Sequence, residues 1–163
     1  MKKITILLLL VIALLTGCKT NEPITIFTIG DSTMANKKKV VFPETGWCQV
    51  IDTYFDETVS ISNHAVNGRS TLSFLDQGRW NIVLDSLEKG DYVFNQFGHN
   101  DQKIKDSTRY TVPFESYTNN LKKFITESRE KGAVPILFTS IVRRKFGENG
   151  QLKGIFTDGD LRR

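Results

Sequence analysis

The chain is short of the residues that most often carry chemistry alone. It has two cysteines and two histidines, His64 and His99, in 163 residues. That is too few for a disulfide framework. A metal site built on His99 and Asp101 would need a further ligand that the sequence does not offer, so neither metal nor cofactor is expected. Gly30-Asp31-Ser32 lacks the G-x-G-x-x-G spacing of a dinucleotide-binding turn. The formal charge of +4 falls to about +2 once Lys2 and Lys3 are set aside with the leader described next, which excludes a nucleic-acid partner on electrostatic grounds. There is no internal repeat and no low-complexity tract. What remains, with 39% hydrophobic and 25% charged residues, is the composition of one ordinary globular domain large enough to build a core.

Residues 1–17 read as an export signal. Met1-Lys2-Lys3 is a basic n-region, and Ile4 to Leu15 is an apolar run of about a dozen residues, too short to span a bilayer. It ends in Leu15-Thr16-Gly17-Cys18, which resembles the lipobox of bacterial lipoproteins. The resemblance implies lipidation of Cys18 and an exported, membrane-anchored protein. The plain secretory signal is the alternative. Residues 18–23 then form a polar tether, and the domain occupies 24–163. Cys48 is left without a thiol partner and is expected to be a small buried residue beside Trp47.

Within the domain, apolar runs alternate with helical patterns. Strands are expected at Ile24 to Ile29, Thr58 to Val66, Asp91 to Phe97 and Val134 to Ile141. Helices are expected over Gly46 to Phe55, over Thr71 to Leu87 with a break at Gly78, and over Pro113 to Lys131 with Phe114, Tyr117, Leu121, Phe124 and Ile125 on one face. This alternation predicts crossovers and an α/β fold, a parallel sheet between helix layers ordered 2-1-3-4. The run Lys37-Lys38-Lys39 reads as a solvated loop.

Ligands of such sheets sit at the carboxyl ends of the strands. Three polar segments fall there: Gly30-Asp31-Ser32, Asn67-Gly68-Arg69-Ser70 and Gly98-His99-Asn100-Asp101. Ser32, at a strand-to-helix turn, is placed as a nucleophile, with the next helix N-terminus offering positive potential. Acyl transfer also needs donors for a tetrahedral oxyanion, and the Gly68 N–H and Asn100 carboxamide would supply two beyond the N–H of Ser32. Helix capping by Asp31 and Ser32, and turn roles for Gly68, Asn100 and Asp101, are the competing readings.

The segments IGDSTM, VNGRST and FGHND resemble the first three blocks of the SGNH (GDSL-type) hydrolases. FGHNDQ with NGRS and an early TGW is similar to the rhamnogalacturonan acetylesterase branch, over about Ile24 to Asp158. The resemblance implies a three-layer α/β/α sandwich with a flavodoxin-like sheet, Ser32 as nucleophile, Gly68 and Asn100 as the oxyanion hole, and an acetylated pectic polysaccharide as substrate. Family members end in an Asp-x-x-His block supplying the base and its carboxylate. Residues 1–163 do not contain it, and neither His64 nor His99 matches its position. The expectation is therefore a C-terminally truncated domain lacking the last strand and helix, and impaired in catalysis. A non-catalytic, lipid-anchored glycan-binding protein or a gene fragment is the alternative.

Overall fold

The computed structural model of the chain describes residues 23–142 and 146–152. The leader, Cys18, most of the tether, Arg143, Arg144 and the tail from 153 lie outside the described residues. Four strands form one parallel sheet: β1 (Ile24–Gly30), β2 (Val59–Asn63), β3 (Tyr92–Gln96) and β4 (Val134–Leu137), in the order β2-β1-β3-β4. Helices α1 (Thr71–Asp76), α2 (Arg79–Ser86) and α3 (Ser116–Glu130) complete the α/β architecture.

β1 is central because its apolar, β-branched run can be buried on both faces. Ile26 pairs with Ile61 on one side and Tyr92 on the other, and Gly30 lies opposite Gln96. Phe27 and Ile29 enter a core with Phe74, Trp80, Val83, Val93, Phe97 and Phe124 under the three helices. Trp80 and Phe124 meet edge to face with centroids 4.9 Å apart and Phe97 stacks on Phe124 at 5.9 Å, and truncating one such Phe to Ala costs about 3–5 kcal/mol. The opposite face carries a smaller cluster of Met34, Ala35, Cys48 and Ala65. There Cys48 is 3% exposed, the small buried residue expected.

The break at Gly78 stands where the sequence places it, the glycine adopting φ 66 between α1 and α2. Other boundaries shift. Gly46 to Phe55 is not an α-helix but two 3-10 turns, Trp47–Gln49 and Ile51–Tyr54, interrupted at Val50 with φ −124 and ψ 0. Its helical spacing marks no buried stripe, since Val50, Tyr54 and Phe55 are exposed. α3 begins at Ser116, after Phe114 turns into the left-handed region at φ 61 and leaves its ring 57% exposed. The core face of α3 is Tyr117, Leu121 and Phe124. β2, β3 and β4 are shorter than predicted by one to four residues at their ends, where the chain leaves the ladder toward the rim. Among the described residues no helix is long and apolar enough to cross a membrane.

Candidate active site

The sheet registers gather the three polar segments. β1 and β3 end side by side at Gly30 and Gln96. The Val66 N–H donates to Gly30 O at 3.1 Å, which brings the segment after β2 back across the end of β1. Gly30 is required there by close approach, because a Cβ would stand 2.3 Å from Met34 Sδ and 2.7 Å from Gln96 O.

Ser32 sits in a single turn, not at the start of a helix. The Met34 and Ala35 N–H groups donate to Asp31 O at 3.2 and 3.1 Å. Asp31 Oδ1 accepts from the Thr33 N–H at 2.9 Å. The positive potential of a helix N-terminus is therefore absent at Ser32, a correction to the sequence reading. The turn is short because the chain from Lys37 onward must fold under the sheet, where Trp47 N–H reaches Thr33 O at 2.9 Å. Asp31 caps this turn, and its side chain is buried. Ser32 itself is half-buried, and among the described residues neither its hydroxyl nor its N–H has a hydrogen-bond partner.

Val66 to Arg69 make a tight turn closed by the Arg69 N–H on Val66 O at 3.3 Å. Gly68 takes the third position at φ 75, a conformation that other residues adopt only with strain. Its N–H is likewise without an acceptor among the described residues. Asn100 is 4% exposed and its Nδ2 donates to Arg69 O at 2.9 Å, one residue from Gly68. One amide hydrogen of Asn100 remains uncommitted. Beside it, Asp101 Oδ1 accepts from the Thr71 N–H at 2.9 Å and the Thr71 and Thr111 hydroxyls at 2.5 and 3.1 Å, fixing the loop to the first turn of α1. Burial raises the Asp101 carboxyl above its ordinary pKa against the pull of those bonds. Asp101 thus holds its neighbour Asn100 in place.

Sequence reasoning missed two residues that join the segments. Lys37 is not solvated: its side chain is 3% exposed, and Nζ donates to Ser32 O at 2.6 Å and Asn67 Oδ1 at 2.8 Å, with Glu44 Oε1 at 2.9 Å. Lys38 and Lys39 do face solvent. Gln96 Oε1 accepts from Trp47 Nε1 at 2.8 Å and lies 2.9 Å from Thr33 Oγ1, while its Nε2 donates to Thr139 O at 2.8 Å. A glutamine ending an apolar strand was the available signal for such a junction. For Lys37 the triple lysine pointed the wrong way.

The histidines are committed elsewhere. His64 follows β2, stacks on Phe27 at 5.8 Å, and shares a 2.8 Å hydrogen bond between Nε2 and Ser62 Oγ. Burial lowers its pKa. His99 Nε2 donates to Ile141 O at 2.8 Å, and its Nδ1 lies 4.0 Å from Asp31 Oδ2. Neither ring makes a hydrogen bond to Ser32 among the described residues. No group of three or more His, Cys, Asp or Glu that could hold a metal is found there either.

A parallel β2-β1-β3-β4 sheet with a serine turn at the end of β1 and amide donors at the ends of β2 and β3 is the frame of an SGNH-type acylhydrolase. Residues 26–154 match the GDSL-like Lipase/Acylhydrolase family model, and the chain belongs to that family. It is 42% identical over 132 residues to rhamnogalacturonan acetylesterase RhgT of Bacillus subtilis (strain 168), covering 81% of this chain and 55% of the relative. It is 37% identical over 134 residues to the probable rhamnogalacturonan acetylesterase YesY of the same organism, covering 82% of this chain and 57% of the relative. The chain therefore spans about half the length of these curated relatives. Among solved structures, protein YxiM from Bacillus subtilis superposes with a TM-score of 0.68 at 28% identity, over 77% of this chain and 35% of that one.

Proposed function

We propose that this chain carries the nucleophile and oxyanion hole of a carbohydrate esterase that removes acetyl groups from rhamnogalacturonan, a pectic polysaccharide. Ser32 Oγ attacks the acetyl carbonyl carbon while a base takes its proton. The carbonyl oxygen becomes an anion held by the N–H groups of Ser32 and Gly68 and the free amide hydrogen of Asn100. Collapse breaks the bond to the sugar oxygen, which leaves as a protonated hydroxyl, and water then hydrolyses acetyl-Ser32. The observation that carries this reading is an unbonded serine hydroxyl and two uncommitted N–H donors, at Ser32 and Gly68, on turns that Lys37 ties together, with Asn100 tied one residue from Gly68. Capping or turn formation alone gives no reason for Asn100 to be buried against that turn. The names of the curated relatives support the acetyl ester of rhamnogalacturonan as substrate.

Each of the two histidines of residues 1–163 makes its side-chain hydrogen bond to a group other than Ser32, so neither is assigned as the base. On this reading it comes from an Asp-x-x-His segment, and residues 1–163 alone turn over slowly. Removal of a triad base elsewhere has cost on the order of a millionfold in turnover. Acetate release from acetylated rhamnogalacturonan should appear when the chain is joined to a segment carrying an Asp-x-x-His block, and should vanish in Ser32→Ala. A soluble joined chain without acetate release would favour the non-catalytic glycan-binding reading, which the engaged histidines also suit. The lipobox supports anchoring through Cys18. Cys18→Ser should release the protein from the membrane fraction, and unchanged fractionation would refute the anchor.

A further inference from the structure

Beside the Gly68 turn lies a concavity of about 560 Å³, whose wall includes Gly68, Arg69, Asp76, Gln77, Thr108 and Arg109. Two guanidinium groups meet there from segments 40 residues apart. Arg69 Nε donates to Gln77 Oε1 at 2.7 Å and Nη1 to Asn67 O at 3.1 Å, which leaves Nη2 without an acceptor among the described residues. Arg109 Nε donates to Asp106 Oδ2 at 2.6 Å, and Nη2 pairs with the same carboxylate. Its Nη1 has no acceptor among the described residues and lies 3.6 Å from where a Cβ on Gly68 would stand. Asp106 is itself fixed by the Thr108 N–H and hydroxyl, and these bonds with Arg109 hold its carboxyl below the usual range.

We propose that this cleft is a carboxylate subsite, in which Arg69 Nη2 and Arg109 Nη1 bind the carboxylate of a uronate residue in the polysaccharide whose acetyl group faces Ser32. Arg109 is already pinned through Nε and Nη2 and Arg69 through Nε and Nη1, so little side-chain freedom is lost when the remaining N–H groups meet an anion. Such charge-assisted bonds are short, directional and strong. Asp76 lines the same cleft, so the attraction comes from two uncommitted N–H groups and not from a basic field. Because Arg109 Nη1 lies against Gly68, a carboxylate held there sets the sugar beside the proposed oxyanion hole. The subsite would distinguish uronate-bearing esters from neutral acetylated glycans. It rests on the reading of Ser32 as the nucleophile of a pectic acetylesterase, yet it is testable by binding alone.

The full chain carrying Ser32→Ala, which cannot turn substrate over, is titrated by calorimetry with acetylated rhamnogalacturonan oligosaccharides. The control is the same oligosaccharides with their carboxylates reduced to primary alcohols. The acidic form should bind at least about tenfold tighter than the reduced form. Adding Arg109→Gln should lower affinity for the acidic form to about that for the reduced form, and Asp76→Asn should strengthen the preference. Arg69→Gln, which breaks no ion pair, makes the same test where loss of the Asp106 pair unfolds the loop. Equal binding of both forms, binding of neither, or a preference that survives both arginine substitutions overturns the subsite. A carboxylate preference that depends on the arginines, found together with no acetate release by the joined chain, would sink the esterase reading and leave the subsite standing.

Discussion

Replacing Lys37 by Met keeps most of the apolar stem but deletes an ammonium that bridges the serine turn to the Gly68 turn. The loss can be sized from its partners. Ser32 O at 2.6 Å and Asn67 Oδ1 at 2.8 Å each accept from a charged donor, and such bonds are worth roughly 1.5–3 kcal/mol apiece. Glu44 is 60% exposed, so its ion pair adds only about 0–1 kcal/mol. Against this stands the desolvation of an ammonium whose side chain is 3% exposed, which Met does not incur. The net expectation is a destabilisation of about 2–4 kcal/mol, or a fall in Tm of roughly 5–15 °C for a domain of this size. Thermal unfolding followed by circular dichroism, with a double-mutant cycle against Asn67→Ala, reads both the total and the coupling. A change below about 0.5 kcal/mol, the usual result for a solvated lysine, would refute the bridging role.

Asn100→Ala in the joined chain should lower turnover about 10²–10³-fold with little change in KM, as for the loss of one oxyanion donor, and steady-state kinetics on a soluble acetyl ester would show it. Cys48 should resist iodoacetamide at pH 8 in the folded chain and react on unfolding, because burial pushes its thiol up to about 12 from 9.0. With the folded pKa above the unfolded one, its contribution to stability is whole below pH 9 and is lost as pH rises from about 9 towards 12. Cys48→Ala should remove that share of the alkaline loss in pH-dependent melts. His64 titrates the other way. Burial lowers its pKa from 6.5, so stability should fall as pH drops below that value, and His64→Gln should flatten this part of the acid limb.

Most of the sheet was legible because each strand is an apolar run punctuated by glycine or polar residues, and a parallel order follows from helical crossovers. Ser32, Gly68 and Asn100 stood out for the same reason, falling two, five and four residues past the ends of β1, β2 and β3. Lys37 was not, since its burial depends on Asn67, 30 residues away, and a run of three lysines gives no local hint of it. The 3-10 turns at Trp47 and Ile51 escaped because Trp47 is committed to Gln96 on β3, a tertiary bond that overrides helical spacing. Phe114 looked like the first apolar residue of α3, yet its φ of 61 places it outside the helix. The Arg69 and Arg109 cleft was invisible for a related reason, since it exists only where two loops meet.

On the proposed function, Ser32 forms a covalent acyl-enzyme beside the Gly68 and Asn100 donors. Rapid acid quench of the joined chain with an acetylated rhamnogalacturonan oligosaccharide, followed by peptide mass spectrometry, tests it directly. The expected result is one acetyl group on the peptide that contains Ser32, lost on longer incubation and absent in Ser32→Ala. Acetate release without acetylation at Ser32, or acetylation that persists in Ser32→Ala, would contradict the account.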